Sequence, residues 1–362
     1  MDITAQGQRS ATLGKIGNQE SGIDTPKGLD ITAQSQRSAT LGKISGYATP
    51  SKSGIRNQRV NYLESKATDV DIRQFEECLC ENNFFSDRPE IMQAYVRSNI
   101  PRLYRIFRNM RSCGIDFKGP SLDVGSGWGI LYPVYKQFFY GMLPYHMAEL
   151  FCYETICDGE KLPCVIFECE KDQLPHEDSG FALVLFFDVL EHLIIDPVYT
   201  VLEFNRVLGK GGHLIINTPN AAAVQRVLKI FAGQNPATEN EIRPSSIYQR
   251  HNREWTPDEV CQLMECCGFG NCAITTNEDM ITHAEADILH FADEKGLLNK
   301  AENYFGPEIF CIAEKREDRT IHDDLPEEQR WPEWLYTALD IYRRRPKIFP
   351  IHAENPETEL LK

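Results

Sequence analysis

The sequence contains no run of about 18 apolar residues, so it predicts no membrane-spanning helix. Its first residues, MDITAQGQRSATLGK, lack the apolar stretch of a secretory signal, which favours a cytoplasmic location. The 12 cysteines include no pair of CxxC motifs and no Cys/His set with zinc spacing. We therefore expect buried free thiols in a reducing compartment and no bound metal, with zinc as a poor alternative.

Positive charge is scarce as well. The chain has 38 Lys and Arg against 53 Asp and Glu, which gives a net charge of −15. Binding to nucleic acid needs clustered Lys and Arg, so a nucleic-acid partner is not expected. Apolar residues still make up 42% of the 362 residues, enough for one large domain with additions.

A 15-residue segment occurs twice near the start of the chain. Residues 2–16 and 30–44 differ only at Gly7, which is Ser35 in the second copy. Two copies are too few for a solenoid, and residues 1–69 are poor in aromatic side chains, so we predict a disordered tail there. We favour a tandem duplication in a tolerant terminus. A docking or modification tail is the alternative.

Three further segments follow from composition and periodicity. Residues 70–118 carry apolar side chains at helical spacing, with Pro101 marking a break or a kink, and we expect these helices to cover the main domain. Residues 119–315 alternate apolar strands with helices, which predicts an α/β domain with a doubly wound, mainly parallel sheet. Residues 316–362 form a charged tail with one amphipathic helix.

Residues 120–135, PSLDVGSGWGILYPVY, place a glycine turn between a strand and a helix. A dinucleotide fingerprint, GxGxxG, would need a third glycine where Ile130 stands, so a nicotinamide-dependent oxidoreductase is disfavoured. The observed GxGxG, preceded by an acidic residue, resembles motif I of the class I S-adenosylmethionine (SAM) methyltransferases. The resemblance implies that SAM is bound by Asp123, Gly125, Ser126, Gly127 and Gly129.

Other landmarks of that family follow in order. Residues 168–193, ECEKDQLPHEDSGFALVLFFDVLEHL, resemble the acidic turn after strand 3, then strand 4 and its turn. The resemblance implies that Glu170 and the backbone N–H of Lys171 bind adenine, and that Asp188 contributes to the cofactor site. It also implies a carboxylate on the ribose at the end of strand 2. Glu154 is the candidate for that role, with Glu149 and Asp158 as alternatives.

The family resemblance covers roughly residues 85–315 and implies both fold and reaction. The expected Rossmann-like sheet has seven strands in the order 3-2-1-4-5-7-6, with strand 7 antiparallel. The expected reaction is methyl transfer from SAM to oxygen or nitrogen on a small molecule or a sugar. The sugar follows from residues 248–269, which resemble a branch rich in glycan-modifying enzymes. A non-catalytic binding module with a docking tail is the alternative.

Polar residues at the carboxyl edge of the sheet are candidates for the acceptor side. His192 and His251 are candidate bases, because methylation of a hydroxyl or amine removes a proton. Glu191 and His192 have the alternative role of shaping the cofactor turn. Arg250, Asn252 and Arg253 are candidate substrate ligands, or else they form a salt-bridged start to the following helix. The sequence leaves the acceptor and the oligomeric state open.

Overall fold

A computed structural model describes residues 61–62, 70–151, 154–239, 247–298 and 304–320. Both copies of the duplicated segment lie outside the described residues, as does the amphipathic helix predicted after residue 316. None of the described helices combines the length and apolar content that crossing a bilayer requires.

The described residues form eight α-helices and ten strands. The helices are α1 (Ile72–Cys80), α2 (Asn83–Ser86), α3 (Glu90–Ser112), α4 (Tyr132–Phe138), α5 (Pro197–Val207), α6 (Val224–Phe231), α7 (Pro257–Cys266) and α8 (His283–Glu294). The strands are β1 (Asn61–Tyr62), β2 (Ser121–Val124), β3 (Tyr145–Glu149), β4 (Ile156–Cys157), β5 (Glu160–Lys161), β6 (Cys164–Ile166), β7 (Phe181–Phe187), β8 (Leu208–Pro219), β9 (Phe269–Thr275) and β10 (Glu308–Lys315).

The main sheet has the order β1-β9-β10-β8-β7-β2-β3-β6. Without the two-residue β1, the order corresponds to 3-2-1-4-5-7-6, and β10 is antiparallel to both of its neighbours. The predicted doubly wound sheet is therefore confirmed. Asn61 and Tyr62 lie in the stretch predicted to be a disordered tail, yet they pair parallel with β9.

Helices cover both faces of the sheet, and the alternation of side chains along β7 shows how. Val184 and Phe186 belong to one core cluster, together with residues of α5 and α7. Leu183 and Leu185 belong to the other cluster, together with residues of α1, α3 and α4. Because successive side chains of a strand point to opposite faces, an almost wholly apolar strand serves both layers.

Three local predictions differ from the structure. α3 continues through Pro101 without a break. β3 ends at Glu149, whereas an apolar run had indicated a strand reaching Glu154, and a β4–β5 hairpin follows. Ten cysteines among the described residues are free, but Cys164 is disulfide-bonded, so the prediction of free thiols is wrong for that residue.

Candidate active site

The turn after β2 brings the backbone unusually close to neighbouring elements. Gly125, Gly127 and Gly129 have φ values of 74°, 58° and 72°, a region that L-residues rarely adopt. A Cβ on Gly125 would lie 2.4 Å from Cγ2 of Val189, and one on Gly127 would lie 2.7 Å from Cδ1 of Ile130. The turn therefore needs glycine for two reasons. Its backbone conformation is strained for other residues, and neighbouring side chains leave no room for a Cβ atom.

A cavity of about 300 Å³ opens against this turn. Cavities of about 300–1,000 Å³ are typical of small-molecule sites. One wall consists of Asp123, the glycine turn and Asp188, which follows β7. Another part of the lining comes from α3, through Met92, Tyr95, Arg102, Leu103 and Ile106. The sequence predicted that helices cover this domain, but it gave no signal that Tyr95 and Arg102 face a site.

Asp123 lines the cavity and is buried, with only 3% of its surface exposed. Its Oδ2 accepts a hydrogen bond of 2.8 Å from the hydroxyl of Tyr145 on β3. Burial raises the pKa of Asp123 to about 7, although the Tyr145 hydrogen bond opposes the rise. Tyr145 was not a predicted site residue, because its contact with Asp123 depends on the pairing of β2 with β3.

The three candidate ribose carboxylates lie in different places. Oε1 of Glu149 accepts hydrogen bonds from Oγ of Ser126 at 2.6 Å and from the N–H of Trp128 at 3.0 Å, so it adjoins the glycine turn. Glu154 is exposed and lies 3.1 Å from Nζ of Lys161. Asp158 is also exposed and pairs with Lys136. Because β3 ends at Glu149, the first choice, Glu154, is not at a strand end and does not reach the turn.

Glu170 and Lys171, the implied adenine ligands, both have hydrogen-bond partners within the protein. The carboxylate of Glu170 is 1% exposed and accepts hydrogen bonds from the backbone N–H groups of residues 194–196, at 2.6–3.0 Å. The N–H of Lys171 donates to the carbonyl of Glu168 at 2.8 Å. Glu170 therefore anchors the segment that leads into α5.

Asp188 connects the cavity to α3. Its Oδ2 lies 3.0 Å from Nη1 of Arg102, and its Oδ1 accepts a hydrogen bond of 2.9 Å from Asn217. Burial lowers the pKa of Arg102, but the charge of Asp188 together with Tyr95 and Glu308 raises it above its ordinary value, so the guanidinium stays charged. Arg102 also donates to the hydroxyl of Tyr95 at 2.7 Å.

Glu191, His192 and His251 lie together beyond the end of β7. Oε2 of Glu191 accepts a hydrogen bond of 2.9 Å from Thr218, while its Oε1 lies 4.0 Å from Nε2 of His251. The centroids of the two imidazole rings lie 5.1 Å apart, and the rings meet edge to face. Burial raises the pKa of Glu191 well above its ordinary value, as does the charge of Asp188, and burial lowers the pKa of His192.

Residues 250–253 hold this cluster in place through hydrogen bonds. The backbone N–H groups of Asn252 and Arg253 donate to the carbonyl of Glu191 at 2.8 and 3.2 Å, and Nδ2 of Asn252 donates to the carbonyl of His192 at 2.9 Å. Arg250 donates to Oδ1 of Asn252 at 3.0 Å. Arg253 pairs with Glu259. These contacts favour the structural alternative for Asn252 and Arg253, which had been candidate substrate ligands.

A family model described as a methyltransferase domain matches residues 90–273, slightly more than half of the 362 residues. The chain belongs to this methyltransferase domain family. It is a class I SAM-dependent methyltransferase, and SAM is its cofactor. The glycine turn fits this cofactor, because its three positive-φ glycines carry no side chain and let a ligand approach the backbone. The buried carboxylate of Asp123 stands at the start of the same turn. The match leaves no support for a nicotinamide-dependent oxidoreductase.

Several solved structures are similar to this chain. A SAM-dependent methyltransferase from Archaeoglobus fulgidus is 17% identical, with 68% of this chain and 100% of that chain covered and a TM-score of 0.38. A possible histamine N-methyltransferase from Thermotoga maritima is 15% identical, with 63% and 97% covered and a TM-score of 0.40. Phosphoethanolamine N-methyltransferase 2 of Haemonchus contortus, solved with SAM, is 14% identical, with 68% and 60% covered and a TM-score of 0.39. These likenesses identify no acceptor. No curated protein matches the chain in sequence.

Proposed function

We propose that this methyltransferase methylates an oxygen or nitrogen atom of a small molecule or a sugar. The observation that carries the proposal is the cluster of Glu191, His192 and His251 beside Asp188. Oxygen and nitrogen acceptors lose a proton when they are methylated, and imidazole and carboxylate groups are the usual proton acceptors. The cofactor supplies a methyl group on a good leaving group, so the chain's remaining task is to position the acceptor.

The residues divide into a cofactor side and an acceptor side. On the cofactor side, the glycine turn admits the ligand to bare backbone, and Asp123 and Glu149 offer buried or half-buried carboxylates next to it. On the acceptor side, His192 stays neutral because burial lowers its pKa, and a neutral imidazole is able to take a proton. Asp188 lies between the two sides, since it lines the cavity and also raises the pKa of Glu191.

A sugar is one of the proposed acceptors because of the HNRE segment, residues 251–254, whose family branch contains many glycan-modifying enzymes. Imidazole and carboxylate side chains hydrogen-bond hydroxyl groups well, so the cluster suits a polyhydroxylated acceptor. A non-catalytic module with a docking tail would depend on residues 1–69, of which only residues 61–62 are described.

The test is a screen of acceptors with methyl-labelled SAM and the full-length protein. The panel contains small hydroxyl and amine compounds, free sugars and oligosaccharides, and mass spectrometry locates the labelled methyl in each product. The proposal predicts label on oxygen or nitrogen, and it predicts that His251→Gln lowers kcat at least tenfold. His290→Gln, at an exposed position on α8, is the control and leaves kcat unchanged. Label on carbon alone would overturn the proposal, as would full activity of His251→Gln.

A further inference from the structure

Three side chains on the acceptor side bring possible metal-ligand atoms close to one another. One nitrogen or oxygen of each of Glu191, His192 and His251 lies within 4.8 Å of the other two. We propose that these three residues bind one divalent transition-metal ion, which holds an acceptor hydroxyl. The inference rests on the proposed function, because it assigns the acceptor cluster a specific chemistry. It departs from the sequence-based expectation of no metal.

The hydrogen bond of His192 fixes which of its nitrogens is available. Its Nδ1 lies 2.9 Å from the backbone carbonyl of Arg250. A carbonyl only accepts, so Nδ1 carries the proton, and in the neutral ring Nε2 holds the lone pair. Asn252 keeps this arrangement in place, because its Nδ2 donates to the carbonyl of His192 itself at 2.9 Å. Histidines that bind metals are commonly oriented in this way.

His251 is held by a carboxylate. Its Nδ1 lies 2.9 Å from Oε1 of Glu254. The same carboxylate pairs with Arg226 and accepts a hydrogen bond of 2.8 Å from Thr238, so it is an anchored acceptor. Nε2 of His251 then carries the lone pair, and it faces the interior of the cluster. Carboxylate–histidine pairs of this kind orient metal ligands and make the imidazole more basic.

Glu191 completes the set with an oxygen. Thr218 holds its Oε2, and its Oε1 lies 4.0 Å from Nε2 of His251. Two ligands at metal–ligand distances of about 2.0–2.2 Å can lie no more than roughly 4 Å apart, so a small movement suffices. Oε2 of Glu239, an exposed carboxylate, lies 3.9 Å from the same Nε2 and offers a fourth donor.

The donor types restrict both the ion and the acceptor. Two imidazoles with one carboxylate suit divalent iron, nickel, cobalt or zinc, and they leave coordination positions open. A hydroxyl oxygen bound there has a lowered pKa, as bound water does. Because both imidazole lone pairs are then on the metal, the proton of the hydroxyl leaves to water in place of a histidine, the oxygen bonds to the methyl carbon, and the S–CH₃ bond breaks with its electron pair staying on sulfur. The acceptor is then an alcohol or a sugar hydroxyl in preference to an amine.

The test is calorimetric titration of the metal-free, full-length protein with CoCl₂. We expect one tightly bound Co²⁺ per chain, and at least a tenfold weaker affinity in each of Glu191→Gln, His192→Gln and His251→Gln. Glu254→Gln, which changes only a positioning residue, weakens affinity about 10–100-fold. His213→Gln is the control, because His213 is half-buried on β8 and packs near Phe117.

SAM binding is measured on the same samples to show that each variant is folded. No stoichiometric Co²⁺ binding by the wild type would overturn the inference, as would wild-type affinity in all three ligand variants. If one of the three ligand variants loses SAM binding, the Co²⁺ affinities of the other two test the inference. Methyl transfer at an unchanged rate by the metal-free protein would refute the metal and leave the proposed function standing. Tight Co²⁺ binding with label found only on carbon would refute the proposed function and the metal-bound hydroxyl, and would leave the metal site itself standing.

Discussion

Nη1 of Arg102 lies 3.0 Å from Oδ2 of Asp188, which ties the helix α3 to the turn after β7 beside the cavity at the glycine turn. Both side chains are partly exposed, at 25% and 20%, so the pair contributes on the order of 1 kcal/mol to stability after screening. We expect its larger effect to be on the site, because both side chains line the cavity and Arg102 holds the carboxylate of Asp188 in place.

Replacing Arg102 by methionine should therefore weaken SAM binding about tenfold, which corresponds to about 1.4 kcal/mol. The matched control is Arg108→Met, on the same helix, because Arg108 pairs with Asp279 at 2.9 Å and does not line the cavity. Calorimetric titration with SAM distinguishes the two variants. Equal losses in both would mean that the ion pair supports only the helix.

The glycine turn provides a second comparison. Gly125→Ala should reduce SAM affinity at least tenfold, because its Cβ would meet Val189 at 2.4 Å beside the cavity. Gly211 has a similar φ, 81° against 74°, but nothing lies within 4 Å of its Cβ position. Gly211→Ala carries the same backbone strain of about 1–2 kcal/mol without affecting the site. Both variants are compared by thermal unfolding and SAM titration. Wild-type SAM affinity in Gly125→Ala would contradict a role of the glycine turn in binding SAM.

The buried Asp123 should make stability depend on pH. Its pKa is about 7 in the folded protein, against 3.8 for the ordinary group, because burial disfavours the charge. Relative to Asp123→Asn, the wild type should keep its full stability below about pH 4 and lose stability as the pH rises through about 7. Urea unfolding of both proteins from pH 4 to pH 8 measures the difference. A difference that does not change over this range would show that the pKa is not raised.

Glu170 provides a test between two roles. The hydrogen bonds that it accepts from residues 194–196 predict that Glu170→Gln lowers the free energy of unfolding by about 1.5–3 kcal/mol, with SAM affinity nearly unchanged. The adenine contact implied by the family resemblance predicts the reverse, a weaker SAM affinity with little loss of stability. Urea unfolding and SAM titration of this one variant decide between the two roles.

The general architecture was predictable because it depends on local patterns. The nearly continuous apolar run of residues 181–187 predicted a central strand, and the structure places β7 there, serving both core layers. The strand order came from the family resemblance, since local pattern does not fix which strands are neighbours. Pro101 was predicted to mark a break or a kink, and the helix α3 continues through it without a break. Ile100 and Leu103, on either side of Pro101, belong to the same core cluster. Their packing offsets the backbone hydrogen bond that proline cannot donate.

The details of the site were less predictable because they depend on contacts distant in sequence. Glu154 was preferred over Glu149 because the apolar residues after Glu149 suggested a longer strand. Phe151 is instead 71% exposed, and the strand stops earlier. The contacts of Tyr145 with Asp123 and of Arg102 with Asp188 join different elements, so periodicity and motif spacing carry no signal for them.

The central claim is that the cavity between the glycine turn and α3 binds SAM. The most direct measurement is calorimetric titration of the folded, full-length protein with SAM, with NADH as the control ligand. The account predicts one SAM bound per chain, competition by S-adenosylhomocysteine, and no binding of NADH. A folded protein that binds no SAM, or that binds NADH in its place, would contradict the account.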